Sequence, residues 1–192
     1  LREALEVSST AVELSALSAA ELPSLERFLA GNARLSFGYV AAHGPSKGWQ
    51  DGDRRLVARL ADLPSQVLGI VMHPDTIRQT SAFAPLGRRL LLENMDAQKP
   101  TGRTVPELAA YFRALPHAGF CFDVAHAYQC DPTLQLAHDL LDAFGARLSH
   151  VHLSSILDDG THVPLRARDA SFFASVLERC VMVPWILEAP VS

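Results

Sequence analysis

The sequence predicts an α/β domain built on a parallel sheet, and three observations carry that expectation. Seven short apolar runs with strand character alternate with amphipathic helical stretches, the order produced by repeated βα units. Of the 192 residues, 48% are apolar, enough for one sizeable core and hence a single domain over 1–192. Six of the seven strand candidates end unambiguously on His, Asp or Glu, so polar chemistry gathers where the strands stop. An open doubly wound sheet and a closed barrel both fit the alternation. No GxGxxG or Walker-type glycine loop follows any strand, which removes the usual ground for a nucleotide-binding open sheet.

The elements follow in order. Leu1 to Val7 reads as helix, and Ala11 to Leu17 as a short strand containing Glu13. Ser18 to Ala30 reads as helix, with Ser18 as N-cap, Glu21 at the capping-box spacing and Gly31 as the stop. Leu35 to Ala42 is a strand ending at His43-Gly44-Pro45. Arg54 to Leu63 is an amphipathic helix stopped by Pro64, and Val67 to Met72 a strand ending at His73-Pro74. A loop containing Pro85 and Gly87 leads to a strand over Arg89 to Leu92, ending at Glu93-Asn94. Val105 to Leu115 is a helix with Pro106 in its first turn. Phe120-Cys121-Phe122 is an apolar run of the kind a parallel sheet buries on both faces, followed by Asp123 and His126. Pro132 to Phe144 is a helix closed by Gly145, Leu148 to Leu153 a strand carrying His150 and His152, and Asp158 to His162 a loop. Ser171 to Cys180 is helical, and Met182 to Leu187 is a strand ending at Glu188.

Composition excludes some classes. A formal net charge of -4 disfavours a general polyanion or membrane-surface binder, although it does not forbid a local basic patch. Cys121, Cys130 and Cys180 have no CxxC or CxxH spacing and read as reduced thiols of a cytoplasmic protein. No apolar run reaches the length of about 18 residues that a membrane span needs.

The strand-end residues are Glu13 or a neighbour, His43, His73, Glu93, Asp123, His152 and Glu188. In a closed barrel these meet on one face. A ring of imidazoles and carboxylates without thiolate suits borderline and hard divalent cations. Each residue alone has an ordinary reading: Asp123 as a helix cap with His126 in the first turn, His43 and His73 as turn residues, Glu93 and Glu188 as caps. The recurrence at successive strand ends favours a common site.

The segments Leu91-Leu92-Glu93-Asn94, Cys121 to Ala127, His150-Val151-His152-Leu153-Ser154 and Ile186-Leu187-Glu188 resemble those of the xylose-isomerase-like TIM barrels. That superfamily includes sugar and sugar-phosphate isomerases and epimerases and the endonuclease IV type of apurinic-site endonuclease. The resemblance implies an α/β, TIM-type (β/α)8 barrel whose first strand would precede Leu1, so that it is missing here. In the epimerase branch it implies one divalent ion (Mn, Mg, Co or Zn) held by Glu93, Asp123, His152 and Glu188. Glu93 and Glu188 would then act as acid and base beside a carbonyl, with His126, His43 and Trp49 facing a small sugar or sugar phosphate. In the endonuclease branch it implies three zinc ions, with His43, His73, His126 and His162 as additional ligands and nucleic acid as substrate.

This chain departs from both patterns. The endonuclease pattern has aspartate two residues before His162, where Gly160 stands, leaving Asp158 or Asp159 as substitutes. The epimerase pattern has aspartate where Ser154-Ser155 stand, and Arg166 and Arg168 are its nearest following arginines. Lys47 and Trp49 offer little with which to grip a duplex, and Trp49 reads more simply as a lid residue. The sequence therefore favours the isomerase or epimerase, then the phosphodiesterase, then a non-catalytic barrel serving as a binding subunit. Oligomeric state, homo-oligomer included, is left open.

Overall fold

The computed structural model describes residues 8–32 and 34–189. The helix expected over Leu1 to Val7 lies outside the described residues. Seven parallel strands form one sheet: β1 (Ala11–Ser15), β2 (Tyr39–His43), β3 (Gly69–Met72), β4 (Leu90–Glu93), β5 (Gly119–Asp123), β6 (Leu148–Leu153) and, last in the chain, β9 (Trp185–Leu187). Their spatial order is their chain order, so each strand pairs with its sequence neighbour in the sheet. The sheet curls until Cα atoms of β1 and β9 come within 8 Å of each other without pairing. The result is a nearly closed TIM-type barrel one strand short, with a seam between β1 and β9.

Among the described residues six helices surround the strands: α1 (Leu22–Gly31), α2 (Asp53–Ala61), α3 (Val105–Ala114), α4 (Val124–Cys130), α5 (Gln135–Phe144) and α6 (Ala167–Leu177). Their apolar stripes, such as Leu22, Leu25 and Leu29 of α1, pack with Val40, Ile70, Leu92, Phe120 and Val151 in the main core between sheet and helices. A second, smaller cluster of Val71, Leu91 and Cys121 fills the barrel lumen. Leu91 fits because Gly69 and Gly119 flank it; a Cβ at either position would stand 2.6 Å from a Leu91 methyl carbon.

Several elements differ from expectation. Helix α1 starts at Leu22 rather than Ser18, because the Glu21 carboxylate accepts the Ser18 N–H at 2.8 Å and closes a turn ahead of the helix. The expected loop before β4 contains 3-10 turns at Pro74–Thr76 and Thr80–Arg89, the latter kinked where Gly87 takes φ +55°. Helix α5 begins at Gln135, after Leu134 in the left-handed region, and the Asp131 carboxylate accepts the Leu136 N–H at 2.9 Å. The expected loop after β6 forms a two-stranded hairpin, β7 (Ser155–Ile156) with β8 (His162–Val163). Helix α6 starts at Ala167, ahead of the expected Ser171.

One irregularity positions the site directly. Phe120 pairs with Leu148, but Cys121 pairs with His150, so Ser149 is an extra residue in β6. Beyond this bulge Asp123 lies opposite His152. Because side chains alternate across a strand, the bulge sets which face of the sheet His150 and His152 occupy.

Candidate metal centre

The C-terminal strand ends bring Glu93, Asp123, His152 and Glu188 together, with one ligand atom of each within 4.8 Å of the others. Two further groups adjoin this set, His43 with His73 and Glu93, and His126 with His162 and Asp123. All eight of the proposed metal-ligand positions thus lie in one cluster at one end of the barrel.

Glu93 is at its centre and has no exposure. Its Oε2 lies 3.3 Å from Nε2 of both His43 and His73, and its Oε1 lies 3.3 Å from Nδ1 of both His126 and His152. Burial opposes the Glu93 carboxylate, but His152 and His73 outweigh it and hold its pKa well below the usual range. The two oxygens therefore face two different groups of imidazoles.

Asp123 does two things. Its Oδ1 accepts the His126 backbone N–H at 2.7 Å, capping α4, while its Oδ2 is buried without a hydrogen-bond partner. The cap expected from sequence is formed by one oxygen, which leaves the other available toward the cluster. Burial pushes the Asp123 carboxyl up to about 8. Asn94 holds the same segment: its Oδ1 accepts the Asp123 N–H and its Nδ2 donates to the Asp123 carbonyl, both at 2.8 Å.

The histidines are oriented by bonds at one ring nitrogen. His43 Nδ1 donates to the Gly44 carbonyl at 2.8 Å, leaving Nε2 toward Glu93. His126 Nδ1 lies 2.9 Å from the Asn94 carbonyl, and His162 Nδ1 lies 2.8 Å from the Ser154 hydroxyl. The Nε2 atoms of His126 and His162 consequently face one another at 3.0 Å. Burial opposes protonation of His43 and His126, yet Glu93 for the first and Asp123 for the second raise them to about 9 and about 10. Burial lowers His73 and His162.

Glu188 stands at the mouth, 29% exposed, with Oε2 3.1 Å from His152 Nδ1. Burial opposes its ionisation, and His152 overcomes this to bring it to about 2. A cavity of about 410 Å³ opens above the cluster, lined in part by His73, His126, His162, Glu188, Asp159 and Lys99.

The donor set fits a divalent cation. It consists of hard and borderline oxygen and nitrogen ligands, and it leaves Asp123 Oδ2 and Glu188 Oε2 buried without hydrogen-bond partners. Such atoms cost stability unless something binds them. Asp123, arriving from β5, is the carboxylate grouped with His126 and His162, where sequence spacing suggested Asp158 or Asp159. Gly160 has φ +82°, a turn conformation that disfavours a side chain at this position.

Trp49 stands apart from the cluster. Its indole N–H donates to the Gly52 carbonyl at 3.0 Å, the Arg59 guanidinium lies 5.7 Å from its ring, and it lines a separate cavity of about 170 Å³. Arg166 and Arg168 line another cavity with Asp158, Asp159 and Asp169. Sequence reasoning missed Asn94 and Ser154 as supports; an amide directly after Glu93 was the available signal for the first.

No curated protein matches the chain. Among solved structures, endonuclease IV from Thermus thermophilus is similar with 23% identity and a TM-score of 0.61, over 100% of this chain and 86% of that one. D-psicose 3-epimerase in the presence of D-fructose is similar at 15% identity and a TM-score of 0.61, over 99% and 78% of the two chains. L-ribulose 3-epimerase follows at 15% and 0.56, over 95% and 72%. At these identities the likeness is one of fold. No described helix is long and apolar enough to cross a membrane. The profile described as xylose isomerase-like TIM barrel matches residues 76–179, more than half of the sequence, and the chain belongs to that family.

Proposed function

We propose that the chain is a multinuclear divalent-metal phosphodiesterase of the endonuclease IV kind. The observation that carries this reading is the division of Glu93, whose Oε2 faces His43 and His73 and whose Oε1 faces His152 of the Asp123, His152 and Glu188 set. A carboxylate so divided suits two neighbouring cations. Asp123 extends the pattern, since it is shared between the Glu93–His152–Glu188 set and the His126–His162 pair. Zinc is the best match to this many imidazoles. Bound there, the cations would supply Lewis acidity and neutralise charge on a phosphate oxygen. Glu188, ionised and lining the cavity, would hold a cation from the side on which water and substrate approach.

The second reading is the sugar or sugar-phosphate isomerase or epimerase, with one ion on Glu93, Asp123, His152 and Glu188 and the two glutamates exchanging a proton beside a carbonyl. The cavity favours it: among the described residues Lys99 is the one lysine or arginine lining it, which suits a small substrate better than a nucleic-acid backbone. Against it, Glu93 is fully buried and engaged by four imidazoles, a poor setting for a mobile proton. A non-catalytic binding subunit is the third reading.

Metal analysis and substrate separate these. Two or three zinc ions per chain and metal-dependent cleavage of an abasic oligonucleotide support the phosphodiesterase. A single manganese- or magnesium-type ion with ketose epimerisation overturns it, and uptake of no metal leaves the binding subunit.

A further inference from the structure

Beneath the cluster, on the lumen side of His152, lies a set of polar groups that the proposed chemistry does not use. Glu13 reaches in from β1, and its side chain is 5% exposed. Its Oε2 lies 3.3 Å from Nε2 of His150 and 3.3 Å from Nε2 of His152. His150 Nδ1 lies 2.8 Å from the Tyr39 hydroxyl.

With a cation on Nδ1 of His152, the hydrogens of these atoms run in one direction. An ionised carboxylate only accepts, so Glu13 Oε2 draws a hydrogen onto Nε2 of both histidines, which lie 3.2 Å from one another. The neutral His150 ring then has a bare Nδ1, to which Tyr39 donates. His152 is left with its Nδ1 lone pair as the one it can offer on the opposite edge, where Glu93 Oε1 stands at 3.3 Å and Glu188 Oε2 at 3.1 Å.

Glu13, His150 and Tyr39 all find partners within the set, whereas Asp123 Oδ2 and Glu188 Oε2, buried without partners, belong to the outer cluster. The lumen set is complete without a cation, even though Cys121 Sγ stands 3.2 Å from His150 Nε2 and could join a ligand group.

We propose that Glu13 is a positioning residue for the metal centre, holding the Nε2 hydrogen of His152 so that Nδ1 is the nitrogen presented to the cation, with His150 and Tyr39 bracing Glu13 in turn. This rests on the metal-centre reading. Partners of this kind orient metal-binding histidines, and their loss costs about 10–100-fold in metal affinity.

The test compares zinc affinity, by chelator competition, in the wild-type chain, Glu13→Gln and Tyr39→Phe, with nitrogen NMR of the histidine rings in the zinc-loaded wild type. The expected results are a hydrogen on Nε2 of His152, an affinity loss of about 10–100-fold in Glu13→Gln and a smaller loss in Tyr39→Phe, with circular dichroism unchanged. Glu13→Gln affinity within twofold of wild type, or a hydrogen on Nδ1 of loaded His152, overturns the proposal. So does a thiolate-to-cobalt charge-transfer band that vanishes in Cys121→Ser, which would make the lumen set a ligand site. If Glu13→Gln does not fold, the NMR measurement decides. A wild-type chain that takes up no zinc, manganese or cobalt overturns the metal-centre reading together with this proposal, whereas normal uptake with an indifferent Glu13→Gln overturns this proposal alone.

Discussion

Asp123 and His126 are joined twice: the backbone N–H of His126 donates to Oδ1 at 2.7 Å, and the imidazole Nδ1 stands 3.8 Å from Oδ2. One oxygen caps the helix, and on the metal-centre reading the other would bind the cation. Asp123→Asn keeps a capping oxygen and loses the charge, so it is expected to retain most of the stability of the metal-free protein while losing metal. Asp123→Ala is expected to lose the cap as well, at about 0.5–2 kcal/mol. Urea denaturation beside metal analysis of both variants checks the distinction.

Glu93 and His43 give different losses. Glu93→Gln is expected to empty the centre, because both carboxylate oxygens face ligand groups. His43→Ala is expected to remove one ion and leave those held by Asp123, His152 and Glu188. Elemental analysis of purified variants reads this directly, and an unchanged ion count in His43→Ala supports the single-ion reading.

The pH dependence of the metal-free protein follows from three raised groups. His43 and His126 rise from 6.5 to about 9 and about 10, so their stabilising contribution is full below 6.5 and is lost as pH climbs through those values. Asp123 rises from 3.8 to about 8, so its effect runs the same way, declining as pH climbs through 8. Glu188, lowered from 4.5 to about 2, contributes above 4.5 and loses that contribution as pH falls through 2. The thermal midpoint without metal is therefore expected to fall between pH 7 and 10. The increase on adding zinc is expected to grow from pH 6 to 8, because the cation displaces protons from these ligands. Thermal scans with and without chelator test both slopes.

Asn94→Ala leaves the buried N–H and carbonyl of Asp123 without their side-chain partners. The expected cost is about 1–3 kcal/mol for each group left unsatisfied, together with weaker metal binding through displacement of Asp123. Denaturant titration of the metal-free variant isolates the first effect.

The strand-end ring was legible from sequence because parallel strands bury apolar runs and release polar residues where they stop, as at Glu93, Asp123 and Glu188. The Ser149 bulge was not legible, because register depends on the partner strand, and β6 alone reads as an uninterrupted run. Nor was the grouping of Asp123 with the His126–His162 pair, since spacing around Gly160 directs attention to local aspartates while Asp123 comes from the end of another strand. Trp49 looked like a lid because it follows a strand end, but its indole N–H is taken by Gly52 and its ring by Arg59. Local pattern identifies the donors, and tertiary approach decides which of them meet.

The bond between Glu13 and His152 spans 139 positions and crosses the lumen beside a seam where no backbone ladder joins β1 to β9. That has a kinetic consequence. Neighbouring βα units can assemble from contacts close in sequence, whereas this link must wait until β1 and β6 are both in place. It is expected to form late, so that Glu13 variants speed unfolding and leave the refolding rate nearly unchanged. Stopped-flow measurements of both limbs would show whether the group that orients a ligand is also the latch that keeps the barrel from opening at its seam.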